Sequence, residues 1–169
     1  GEKGREAMIL CETVLGNLSD EKFCGETYKI DYVEIEWHEA YKRIHQKMTQ
    51  SGREIGVRLG TEILTKGLRQ GDVLWQDGNE VIAVDVPPCE VIVIHVDAHH
   101  PKMAHKVCFE IGNKHGALMW GEEDNEFITP YNEPTFQLLA KLHGVTVEKA
   151  VRKLDFDRAI SSTVSSHTH

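Results

Sequence analysis

Ten histidines are spread over the 169 residues of this chain, and their placement is its most informative chemical feature. Four of them fall from His95 to His105, and two close the chain as His167 and His169. Neutral imidazole ligates Ni, Cu and Zn among the divalent ions, and two imidazoles one residue apart on an extended backbone can chelate a single cation. The His-x-His ending therefore reads either as a metal collector or as a surface tail without function. His115 is placed differently. It follows an apolar helical run that gives way in Cys108-Phe109-Glu110-Ile111-Gly112-Asn113-Lys114-His115-Gly116 to glycine and asparagine, which adopt positive φ at little cost and stop helices. That spacing presents an imidazole at or just past a helix end, where a histidine is more often a surface residue than a ligand.

The remaining candidates are weaker. His99 and His100 precede Pro101 and are accessible, but adjacent side chains diverge. His105 has Phe109 four residues on, so no helical histidine pair forms. His95 sits in a strand run, and His38 and His45 read as residues on or beside a solvated strand face. Glu110 is too far from His115 for the alignment on one helix face that a metallohydrolase uses. The Glu122-Glu123-Asp124 run reads as a solvated turn. No nucleophile elbow, phosphate-binding loop or dinucleotide-binding glycine signature is present, so the sequence points to binding rather than to an enzyme, and no catalytic residue is assigned.

Composition narrows the partners. A formal charge of -8 argues against nucleic acid or an anionic membrane as the principal partner, because both reward clustered Lys and Arg. With 40% hydrophobic and 27% charged residues the chain has the balance of a soluble globular protein. Cys11, Cys24, Cys89 and Cys108 form no Cys-x-x-Cys pair and read as free thiols. No run approaches the length of a membrane-spanning helix, and a cytoplasmic address is expected. Residues 1–7 are polar and patternless and are left out of fold reasoning.

These side chains must be carried by elements that the hydropathy pattern outlines. Met8-Ile9-Leu10 opens an apolar segment. Val33, Ile35 and Trp37 alternate with polar neighbours, as do Ile55, Val57 and Leu59 after a turn at Gln50-Ser51-Gly52-Arg53. Val73-Leu74-Trp75 and Val81-Ile82-Ala83-Val84 flank Asp77-Gly78, a favoured hairpin turn. The first segment, residues 8–86, is thus expected to be a mostly antiparallel, all-β domain. Pro87-Pro88 breaks the chain, since proline lacks the amide hydrogen that a sheet ladder needs. Residues 87–157 change rhythm. A β-branched run over Glu90–Val96 is followed by a helix from about Pro101 with Met103, Ala104, Val107, Cys108 and Ile111 on one stripe. Strands at 117–120 and 126–129, a helix opening at Glu133-Pro134 and an extended segment at Val145 complete the order βαββαβ of a ferredoxin-like domain. The overall class is α+β. Residues 161–169 are small and polar, and 158–169 are expected to be a flexible histidine-bearing tail.

Taken together, the β-rich first half, the second-half order, the string Phe109-Glu110-Ile111-Gly112-Asn113-Lys114-His115 and the histidine tail resemble the UreE family, the nickel metallochaperones among the urease accessory proteins. Tyr32-Val33-Glu34-Ile35-Glu36-Trp37 and Gln70-Gly71-Asp72-Val73-Leu74 extend the resemblance, which covers roughly Met8 to His169. It implies a homodimer whose second domains meet on a twofold axis, where His115 from each subunit holds one Ni(II) as cargo and His167 and His169 complete the coordination. Zn(II) or Cu(II) are chemical substitutes. The implied partners are the urease accessory GTPase (UreG) and the urease apoprotein maturation complex, and the first domain is expected to bind a peptide or partner. Lys114 stands where many members carry arginine. The tail is short, which favours delivery of one or a few ions over storage. The competing reading is a protein-binding adaptor with incidental metal binding.

Overall fold

Ile55, Val57 and Leu59 do alternate inward, and the strand they build is the middle one of a three-stranded sheet. The computed structural model describes residues 7–25 and 27–160. They fall into two compact units that divide between Pro87 and Pro88.

The first unit contains β1 (Ile9–Cys11), β2 (Gly16–Asn17), β3 (Lys29–Glu34), β4 (Ile44–Met48), β5 (Glu54–Arg58), the one-turn helix α1 (Ile63–Lys66), β6 (Asp72–Asp77) and β7 (Glu80–Asp85). One sheet has the order β1-β5-β4 and the other β2-β6-β7-β3. Their inner faces share one core, with Val33, Ile35, Ile55, Val57, Ile82 and Val84 at most 1% exposed. Burying each such side chain contributes about 1.5–3 kcal/mol.

Three expectations change here. The sheets are mixed rather than mostly antiparallel, because β1 pairs parallel with β5 and β3 pairs parallel with β7. The unit is β-rich but carries α1 and short 3-10 turns. The strand expected to run through Trp37 ends at Glu34, and Trp37 opens a 3-10 turn. The arm that forms the hairpin with β5 is instead β4, with Ile44 opposite Arg58 and Met48 opposite Glu54. The Asp77-Gly78 turn forms as expected, with Gly78 at φ 59° between β6 and β7.

The second unit contains β8 (Cys89–Val96), α2 (Lys102–Asn113), β9 (Met119–Trp120), β10 (Glu126–Pro130), α3 (Glu133–Ala140) and β11 (Val145–Arg152). Its strands lie in the order β11-β8-β10-β9, all antiparallel. β8 is central, which explains its nearly unbroken apolar run: Ile92, Ile94 and Val96 face a core completed by Val107 and Ile111 of α2 and Leu139 of α3. Val91 and Val93, on the other face, are also buried. Asn132 caps α3, its Oδ1 accepting from the Thr135 amide at 3.1 Å, with Pro134 tolerated in the first turn.

Cys11, Cys24, Cys89 and Cys108 form no disulfide among the described residues. Among the described residues, no helix is long and apolar enough to cross a membrane. His167, His169 and most of the expected tail lie outside the described residues.

Candidate metal-binding residues

The helix that leads to His115 is fixed by its own stripe. Val107 and Ile111 are buried at 0% and 2% exposure, while Phe109 on the opposite side is 68% exposed. The ending of α2 is a Schellman motif. The Gly116 amide donates to the Ile111 carbonyl at 2.9 Å, and the His115 amide donates to the Gly112 carbonyl at 3.0 Å. In that motif the residue after the cap must turn into the left-handed region, a place usually given to glycine. Here it is His115 itself, at φ 57°, the one non-glycine residue with positive φ among the described residues. The glycine and asparagine that the sequence offers for the turn remain in the helix. A left-handed histidine costs about 1–2 kcal/mol relative to an ordinary backbone conformation.

The corner is held on both sides. A Cβ on Gly116 would come 2.9 Å from Ile111 Cγ2, so only glycine lets the chain turn this tightly against the buried isoleucine. Beyond it, the buried Thr129 hydroxyl donates to the Ala117 carbonyl at 2.7 Å and ties the outgoing chain to β10. The His115 side chain between these anchors is exposed. Backbone geometry therefore fixes where this imidazole stands, and solvent or a partner has access to it.

The other histidines separate into distinct environments. His99 and His105 are exposed. His100 leaves its neighbour and packs edge-on against His143, ring centroids 4.6 Å apart. His38 is exposed in the 3-10 turn, as expected for a surface residue. His45 is not: it points into the first unit at 6% exposure, its Nε2 donating to the Lys42 carbonyl at 2.9 Å. Burial drives its pKa below the ordinary histidine value, only partly opposed by that carbonyl. A buried neutral imidazole committed to a backbone oxygen is a structural group.

One grouping has no counterpart in the sequence reading. His95 on β8 lies directly across from Glu126 on β10, His95 Nε2 being 3.4 Å from Glu126 Oε2. Glu123, in the turn before β10, joins them, so that one ligand atom from each of the three lies within 4.8 Å of the others. The signal was present only as an alternation on two strands whose register the sequence did not provide.

Comparison with known proteins places these features in context. Residues 11–86 match the family model described as UreE urease accessory protein, N-terminal domain. The chain is 40% identical over 147 residues to urease accessory protein UreE of Helicobacter pylori (strain Shi470), covering 87% of this chain and 83% of that protein. The corresponding protein of Helicobacter acinonychis (strain Sheeba) gives the same identity and coverage. Urease accessory protein UreE of Acetivibrio thermocellus is 35% identical over 161 residues, covering 95% of this chain and 99% of that protein.

Proposed function

The chain belongs to the UreE family of urease accessory proteins, a family of accessory proteins and not of enzymes, and on that premise we propose that it carries Ni(II) to the maturing urease active site. The observation that carries this reading is the left-handed, exposed His115 at the end of α2. A fold needing only a helix stop would be served better there by glycine, so the imidazole is retained for what it can bind.

The proposed site is shared. In a homodimer with an isologous interface the same side chain arrives at the twofold axis from both protomers, so one His115 per chain gives two ligands to one ion. Phe109, exposed on the same end of α2, supplies an apolar contact for such an interface. His167 and His169 supply the remaining imidazole ligands, and the ion passes on by ligand exchange. Zn(II) and Cu(II) fit the same donors, and nickel is favoured by the family's role rather than by imidazole chemistry. The order β11-β8-β10-β9 supports a ferredoxin-like domain over 87–157, with 8–86 as the partner-binding domain and 158–169 as the segment that brings the tail histidines. The receiving partners in this scheme are the urease accessory GTPase and the urease apoprotein complex, in the cytoplasm. Calorimetric titration with Ni(II) tests the centre of the proposal: His115→Ala should abolish the tight ion shared by the dimer, and undiminished tight binding would overturn it.

A second reading is favoured by one specific surface. Met8, Leu10, Ile44 and Met48 are 41%, 66%, 71% and 63% exposed on the outer face of the β1-β5-β4 sheet, where Gly56 contributes no side chain. An adaptor would use that face to hold an apolar peptide segment without regard to metal. Capture of the urease accessory GTPase that is insensitive to chelator, and lost with Leu10→Ser and Ile44→Ser, would support the adaptor. Chelator-sensitive capture supports the carrier.

A further inference from the structure

We propose that His95, Glu123 and Glu126 form a second divalent-metal site, one per protomer and built wholly within one chain, that takes a first-row cation such as Ni(II) or Zn(II) on one imidazole nitrogen and two carboxylates. The register of the sheet creates the first pair. His95 and Glu126 are cross-strand partners on the side of the sheet away from α2 and α3, and the turn into β10 brings Glu123 alongside.

Three observations point to a cation rather than to a surface ion pair. The donors come from three separate backbone positions yet lie within 4.8 Å of one another. Metal bonds of about 2.0–2.2 Å to nitrogen and oxygen place tetrahedral donors about 3.3–3.6 Å apart, so the His95–Glu126 pair already has the spacing and Glu123, which is exposed, has to close on it by roughly 1 Å. Second, the Glu126 side chain is 10% exposed, but its contacts are long: 3.4 Å to His95 Nε2 and 3.4 Å from the Glu122 amide. A buried carboxylate engaged in strong charge-assisted bonds sits at about 2.7–2.9 Å from its donors, so this one is positioned without being saturated. Third, its space is reserved. A Cβ on Gly121 would fall 2.6 Å from Glu126 Cβ and 2.7 Å from Oε1, and the Gly121 carbonyl is itself held by the Arg158 guanidinium.

The donor set defines the chemistry. Two carboxylates neutralise a dication, and the single imidazole selects against Mg and Ca in favour of borderline metals. With three protein ligands the remaining positions belong to water, which makes the ion exchangeable rather than structural. This site needs no twofold mate, whereas the site proposed at His115 does.

That difference supplies the test. In the full-length His115→Ala, His167→Ala, His169→Ala variant, titration with NiCl2 and separately with ZnCl2 should show one ion per protomer. Adding Glu123→Gln or His95→Asn should weaken that binding at least tenfold, with an unchanged circular dichroism spectrum. Ni(II) should also broaden the His95 ring resonances selectively in the triple variant. Absence of uptake in the triple variant, or uptake that neither added substitution weakens, overturns the proposal, the latter assigning the ion to other histidines. Because the His115 reading is tested by His115→Ala alone, failure of one leaves the other standing.

Discussion

His45 Nε2 donates to the main-chain oxygen of Lys42 at 2.9 Å from a position 6% exposed to solvent, so the first unit encloses a neutral imidazole that must be charged to unfold in acid. Burial lowers the folded pKa below the unfolded value of about 6.5. The unfolded chain therefore takes up the proton first. The stability due to His45 is complete above about pH 6.5 and is lost as pH falls below it toward the folded pKa. His45→Gln keeps a donor for the carbonyl and does not titrate. Denaturant midpoints measured from pH 7.5 to 5 should fall less steeply for this variant than for the parent chain.

At the α2 terminus, replacement by glycine should stabilise the fold and replacement by alanine should not. His115→Gly removes the left-handed penalty and should stabilise the fold by about 0.5–1 kcal/mol, whereas His115→Ala keeps the strain and should be neutral or slightly destabilising. Both should lose tight Ni(II). Thermal unfolding of the metal-free variants, alongside titration, separates the backbone effect from the ligand effect.

Asp31 locks the β4–β5 turn onto β3. Its carboxylate accepts from the Ser51 hydroxyl at 2.6 Å, the Ser51 amide at 3.1 Å and Arg53 Nε at 3.1 Å. Burial alone would raise its pKa, but these donors together with Thr49 outweigh that and hold it below the usual carboxylate value. Its contribution is thus present above an unfolded pKa of about 3.9 and is lost as pH falls through the lower folded value. Asp31→Ala should cost about 2–3 kcal/mol at neutral pH by urea denaturation, and a loss below 0.5 kcal/mol would contradict this role.

Phe109→Glu puts a charge on a residue that is 68% exposed within one protomer, so the fold should be retained. At the proposed twofold interface two such charges would meet. Sedimentation equilibrium should show a dimer for the parent chain and a monomer for the variant, with Ni(II) affinity reduced as for His115→Ala.

His167→Ala with His169→Ala should lower Ni(II) affinity or stoichiometry by several-fold and leave the unfolding midpoint and the dimer unchanged. Each lost imidazole removes a ligand but no buried apolar surface, since the tail sequence has little to bury. A lowered midpoint in metal-free protein would contradict this.

Much of this architecture is legible in the sequence where burial is one-sided. Ile55, Val57 and Leu59 alternate because one face of β5 is inside, and the α2 stripe of Met103, Val107 and Ile111 repeats because one side of the helix meets β8. β4 escapes the same reasoning because its pattern is inverted. His45 points inward while Ile44 and Met48 face out, at 71% and 63% exposure. The parallel pairings of β1 with β5 and of β3 with β7 leave no local mark, since partner choice across a crossover is not written in either strand. His115 was visible as a candidate from its string and its helix end, but its φ of 57° was not: Gly112, Asn113 and Gly116 all offered easier places for the turn. The grouping of His95, Glu123 and Glu126 depends on the β8–β10 register and on the turn that brings Glu123 alongside.

The pairing order also bears on how the chain is made. β1 waits for β5, β3 waits for β7, and central β8 is flanked on one side by the last strand, β11. During synthesis from the N-terminus, each unit therefore keeps an early apolar strand without its partner until nearly all of that unit has been translated. The β8 run from Val91 to Val96 is the more vulnerable, because its eight-residue ladder with β11 closes only once Arg152 exists. A break in the message or the chain anywhere between them would leave a bare β-branched edge, the kind of surface on which nascent chains aggregate.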